Sequence, residues 1–166
     1  MVDVQTISIA IASIGVLVAA TYYILYLRHQ NKVRKTDLVI RLYSTWEGKE
    51  FSEATLKIWN LEFKDYDDFI KKNGPWYSET EVYTALRMVA NFFQLLGILL
   101  LDDLVDIDMV VKAFNFPIRT TWEKMKPLIE GGRKQMGPDL GNHFEYLYNE
   151  MQKREQKLQQ STARVE

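Results

Sequence analysis

The chain contains no cysteine. That excludes disulfides, thiolate zinc sites, iron–sulfur ligation and a cysteine nucleophile, and it suits a reducing compartment. Histidine is nearly as scarce, with only His29 and His143. Neither belongs to a His-x-x-x-His or Glu-x-x-His pair, so the ligand set of a bundle-type metal centre is missing. His143 is expected as a capping or partly exposed residue. An excess of positive charge is also lacking. Once Asp3 is set aside, the 21 bases are matched by as many acids, and a neutral domain has no general electrostatic reason to bind nucleic acid. Alternating apolar runs between hairpin turns, internal repeats and low-complexity linkers are absent too.

The motifs of common chemistries fail one at a time. "GGRKQMGP", residues 131–138, has the glycines of a phosphate loop, but Pro138 stands where the lysine belongs; it reads as a loop between helices. "DDLVDID", residues 102–108, is acidic, but a calcium loop needs a glycine at its sixth position and a glutamate at its twelfth, where Ala113 stands. It reads instead as a loop with Asp106 as a helix cap and Asp108 beside the positive helix end. A Ser–His–Asp set assembles in space and stays open, although no Gly-x-Ser-x-Gly turn is present. No catalytic residue, metal or cofactor is assigned.

What the sequence does have is one long uncharged run. "ISIAIASIGVLVAATYYILYL", Ile7 to Leu27, spans about 31 Å as a helix, close to the roughly 30 Å core of a bilayer. Tyr22, Tyr23 and Tyr26 fall near one end, and Arg28, Lys32, Arg34 and Lys35 follow. A cleaved signal peptide would carry its bases before a shorter core, and a buried core helix is the other rival. The expected arrangement is a retained single-pass anchor in the cell membrane, with the N-terminus outside and the rest cytoplasmic by the positive-inside rule. Ser8, Ala12, Gly15 and Ala19 form a stripe of small residues, suited to packing against another membrane helix.

Beyond the anchor the pattern is helical. No Gly or Pro lies between Val16 and Trp46, so the first helix is expected to continue to about Gly48. A second is expected to be capped by Ser52, with Leu56, Trp59 and Phe63 on one side, and "KDYDDFIKKNGP" to end at its Asn-Gly-Pro. Ser78 and Glu81 form a candidate capping box opening the longest apolar-periodic stretch, Glu79–Leu101. Its uncharged section, Met88–Leu101, is too short to span a bilayer and holds Asn91 and Gln94, so it reads as a central core helix. A helix from Asp106 is expected to break or kink at Pro117, and the following piece to stop at Gly131 and Gly132. A last helix from about Asp139 places Phe144, Leu147, Tyr148 and Met151 on one face. An exposed Tyr146 with Arg133, Lys134 or Lys126 nearby would give a contact surface, but a solvated charged face beside a core is the favoured reading.

The expected class is all-α: an anchor and flank over residues 1–35, a helical domain of five or six helices over 36–160, and a frayed tail over 161–166. The strings "RLYSTWEGKEFSEA", "LEFKDYDDFIKKNGP", "WEKMKPLIEGGRKQ" and "FEYLYNEMQKREQ" resemble a family of uncharacterised archaeal proteins, with more distant bacterial relatives. That resemblance implies a membrane helix with a small helical domain and carries no activity, cofactor or site residue. The expected role is an accessory or protein-interaction subunit, with the lipid bilayer and another membrane protein or a second copy as partners. A membrane-surface enzyme and a ligand-binding sensor are the alternatives. The sensor reading expects a cavity near Asn91 and Gln94.

Overall fold

The computed structural model describes residues 3–76 and 78–162, without the side chains at positions 6, 7, 10, 161 and 162. It comprises six helices: α1 (Val4–Trp46), α2 (Lys49–Trp59), α3 (Tyr66–Asn73), α4 (Glu81–Leu101), α5 (Ile107–Met136) and α6 (Asn142–Thr162). Among the described residues there is no strand, and the all-α class holds. The chain divides into two compact units, Met1–Asp37 and Leu38–Glu166. Most of the expected tail, from residue 163 on, lies outside the described residues.

The first unit is helical from Val4, and every described side chain from Asp3 to His29 is exposed. Three of its hydroxyls are satisfied within the helix: Ser8, Ser13 and Thr21 donate to the carbonyls of Val4, Ile9 and Leu17 at 3.0, 2.8 and 2.8 Å. Those three hydroxyls therefore do not require water.

The second unit is built around α4, which packs against α2 and α6, while α5 packs against α6, α2 and α3. The face of α4 expected inside is inside: Ala85, Leu86, Val89, Phe92, Phe93 and Leu96 are buried. Trp46 meets Phe93 and Phe92 at ring distances of 5.1 and 5.4 Å, and Phe93 stacks on Phe144 at 4.8 Å. Each such ring contributes about 0.5–1.5 kcal/mol beyond its area burial. The expected face of α6 is likewise inward, with Phe144, Leu147 and Met151 buried.

Three helix starts differ from the sequence expectation. Ser52 does not cap α2; Gly48 is the N-cap, with no side-chain bond, and Ser52 N–H donates to the Gly48 carbonyl. The buried face of α2 is Ala54, Thr55 and Ile58, leaving Leu56 55% exposed. Ser78 and Glu81 do not form a capping box. The Ser78 hydroxyl donates to the Pro75 carbonyl at 2.7 Å, and the Glu81 carboxylate takes Lys57 at 2.5 Å. Thr80 caps α4 instead, its Oγ1 accepting from Tyr83 N–H at 3.3 Å. The last helix begins at Asn142, not Asp139.

The largest difference is α5, which runs unbroken through Pro117, Pro127, Gly131 and Gly132, so "GGRKQM" is helix and not loop. An interior proline costs about 3 kcal/mol. Phe114, Ile118, Trp122, Met125, Leu128 and Ile129 are all buried around the two prolines, at roughly 1.5–3 kcal/mol each, and their burial outweighs that cost. The glycines are notches. A Cβ on Gly131 would lie 2.3 Å from the Tyr66 ring, and one on Gly132 would lie 3.0 Å from the Trp76 indole. The helix gives up about 1 kcal/mol of propensity at each and in return seats an aromatic ring against its backbone.

Candidate functional site

Two places deserve the name of candidate site, and each lies within a single unit. The first is the apolar helix of the first unit. Ile11, Ile14, Val16, Leu17 and Val18 are all exposed, at 60–68%. A helix that is apolar all round calls for an apolar surrounding. Over Ile11–Trp46 the helix is long and apolar enough to cross a membrane, and none of its most apolar stretch is buried. The small residues Ser8, Ala12, Gly15 and Ala19 are exposed, and a Cβ on Gly15 would meet nothing within 4 Å. Of the flanking bases, Arg28, Lys32 and Arg34 are exposed and Lys35 is half-buried.

The second is a cavity of about 250 Å³ in the helical unit, between α4, α5 and the turn leading into α6. Asn91 and Gln94 both line it, where the sensor alternative expects a cavity. Gln94 is half-buried and Asn91 exposed. The Gln94 Oε1 accepts from Phe144 N–H at 2.9 Å, so α4 satisfies an orphan donor in the first turn of α6. Three residues on, a Cβ at Gly97 would lie 2.0 Å from the His143 carbonyl oxygen, so here α4 and α6 meet backbone to backbone. His143 itself is half-buried, as expected.

The walls are held by further polar contacts. Arg133 Nε donates to the Leu140 carbonyl at 2.9 Å, and its guanidinium reaches Glu145 at 2.5 Å and Asn142 at 3.3 Å. It is therefore committed to the α5–α6 turn. Further along the seam, Glu155 takes Arg119 and the Asn115 amide, both at 2.5 Å, and Arg154 grips Asp108 through two bonds. The hydrogen bonds from Arg154 hold the Asp108 carboxyl below its ordinary range. Asp106 caps α5 by accepting from Asp108 N–H at 2.8 Å, so the acidic stretch serves as loop and cap. On the floor of the cavity, Tyr83 donates to the Gly74 carbonyl at 2.5 Å, and burial raises its phenol pKa.

Sequence reasoning missed Trp76. Its Nε1 is buried with no hydrogen-bond partner, and the indole forms part of the cavity wall. The only signal was the Pro-Trp pair after a helix stop, which looks like any turn. A separate, wider groove of about 880 Å³ runs between α2 and the start of α4. It carries Glu50, Glu53, Glu79 and Glu81, with Lys57 and Arg87 among them. No three of His, Cys, Asp and Glu gather as a metal site among the described residues.

These features define a class: an all-helical protein with an uncovered apolar N-terminal helix and a helical unit that holds a small internal cavity. The chain belongs to the family described as "Domain of unknown function (DUF4760)", whose model matches residues 9–151 and so takes in both units. No curated protein and no solved structure matches it.

Proposed function

We infer that the chain is a membrane-anchored helical module that acts as an accessory or interaction subunit. The observation that carries this reading is the first unit: an apolar helix, exposed on every side, whose Ser8, Ser13 and Thr21 hydroxyls bond its own carbonyls. In water that much apolar area is a liability of roughly 25 cal/mol per Å², and in lipid it costs nothing. The flank Arg28, Lys32, Arg34 and Lys35 favours the cytoplasmic side for the helical unit, with a single crossing and the N-terminus outside. The stripe Ser8, Ala12, Gly15 and Ala19 is where a second membrane helix, from another protein or another copy, would approach.

The test is extraction of membranes with alkaline carbonate, followed by protease digestion of sealed vesicles. The reading expects the chain to stay in the pellet and the C-terminal unit to be cut only from the cytoplasmic side. Release into the supernatant sinks the anchor, and digestion from the other side sinks the topology. Co-purification in mild detergent then addresses the partner. A membrane protein recovered at constant stoichiometry and lost with Ala12→Leu or Gly15→Leu supports the subunit role, and recovery of the chain entirely alone counts against it.

A further inference from the structure

We propose that the cavity beside Asn91 and Gln94 is a binding site for a small carboxylic acid with an apolar body, one aromatic ring or a chain of similar bulk. This goes beyond the anchored-subunit reading and does not depend on it, because every residue involved lies in the helical unit.

Size sets the first limit. An apolar cavity of about 150 Å³ is enough for benzene. At about 250 Å³, this one has room for a ring carrying a short chain. It falls below the roughly 300–1,000 Å³ of typical ligand pockets, so the ligand is compact.

The walls set the body of the ligand. Leu86, Met125, Ile129 and Phe144 are buried apolar side chains, and Ala90 leaves the space that a larger residue would fill. Such a surface favours hydrocarbon over water.

The polar groups set the head, and they point one way. No aspartate, glutamate or histidine lines the cavity. The Trp76 indole lines the cavity with its ring, while its Nε1–H is buried away from it and supplies no donor to a ligand. The Gln94 amide is oriented by Phe144: its Oε1 already accepts the backbone N–H, which leaves Nε2 as a donor. Arg87 and Asn91, the exposed polar side chains of the lining, add a cation and a further amide where the cavity opens. Arg87 forms no ion pair among the described residues, although it also borders the glutamate-bearing groove. Amide donors next to a cation, with no carboxylate in the lining, match a carboxylate. An amine would find no anion there.

The test uses the full-length protein in lipid nanodiscs with ¹⁵N-labelled tryptophan, the Trp76 indole signal being assigned through Trp76→Phe. The probes are 3-phenylpropionate and its neutral counterpart, 3-phenylpropanol, each titrated to about 10 mM, beyond which binding is too weak to matter. A saturable shift of the Trp76 indole N–H with the acid is expected, with the alcohol about fivefold weaker or more. Arg87→Gln should weaken the acid by about fivefold and leave the alcohol unchanged. Ala90→Phe, which fills the space, should abolish both. No saturable shift, equal binding of acid and alcohol, or an acid response that survives in a folded Ala90→Phe protein would each overturn the proposal. Should Ala90→Phe fail to fold, the comparison of acid and alcohol in Arg87→Gln decides.

Discussion

Residues Ile11–Trp46 of α1 and the whole of α4 both pass the same test of length and apolar character for crossing a membrane, yet 39% of the most apolar stretch of α4 is buried in the protein and none of that of α1 is. The difference lies in what interrupts the apolar run. In α4 the interruptions are specific: Gln94 reaches a backbone donor on α6, Gly97 lets that helix touch, and Phe92 and Phe93 point into a ring cluster. In the apolar run of α1 the hydroxyls of Ser8, Ser13 and Thr21 fold back on their own helix. The polar groups of α4 are addressed to neighbouring elements of the protein, and the hydroxyls of α1 are addressed to its own backbone. Apolar content measures how much a segment avoids water, and the polar exceptions indicate where it goes instead.

The comparison can be broken most forcefully from the α1 side. Val16→Lys together with Leu17→Lys places two charges mid-helix, at about 2.5–3.5 kcal/mol each for insertion. Carbonate extraction should then release the protein, while the thermal unfolding of the helical unit stays where it was. A chain that stays membrane-bound despite both charges would mean that α1 is not the anchor.

The matching change in α4 is Phe93→Ala, which empties a fully buried ring site and should cost about 3–5 kcal/mol in denaturant unfolding. Leu17→Ala, on the exposed helix, should leave that unfolding unchanged. If both behaved alike, the contrast between the two helices would be false.

A sharper probe is Gly97→Ala. Helix propensity alone favours alanine by about 1 kcal/mol. The added Cβ would lie 2.0 Å from a backbone oxygen of His143, which cannot swing aside as a side chain can. The net effect should be a loss of about 1–3 kcal/mol, measured by the denaturation midpoint. A gain in stability would show that α4 and α6 stand further apart.

The smallest effect concerns pH. Asp108 has its pKa lowered by Arg154, so the pair contributes stability above the ordinary carboxylate value near 4 and loses it as pH falls through the lower folded value. Asp68, held by Lys72, has the same sign. Stability should therefore be nearly level from about pH 5 to 8 and decline in acid, less steeply in Asp108→Asn. An equally steep acid decline in that variant would assign the loss to other groups.

Legibility followed the range of the interactions. Helix periods, the Asp106 cap and the inward faces of α4 and α6 depend on neighbours within a turn or two, and they could be read directly. Asn91 and Gln94 stood out because amides in an apolar helix need a reason. What could not be read was decided at a distance. Ser78 looks like a cap until Pro75 claims its hydroxyl, and Glu81 looks like its partner until Lys57 takes the carboxylate. Gly131 and Gly132 carry the local signature of a helix stop, and only the rings of Tyr66 and Trp76, from far earlier in the chain, show why they lie inside one. The role of Trp76 in the cavity wall depends on the same contact.

Those two notches have a consequence in time. The rings of Tyr66 and Trp76 have nowhere to lodge until α5 has formed with its backbone bare at Gly131 and Gly132. The segment around α3 is short and packs on α5 and on Tyr83 of α4, and its seating on the notches is expected to come late in folding and to be lost early in unfolding. Its backbone amides should exchange with solvent well before those of α4, and with it the wall of the cavity would come and go while the core stays closed.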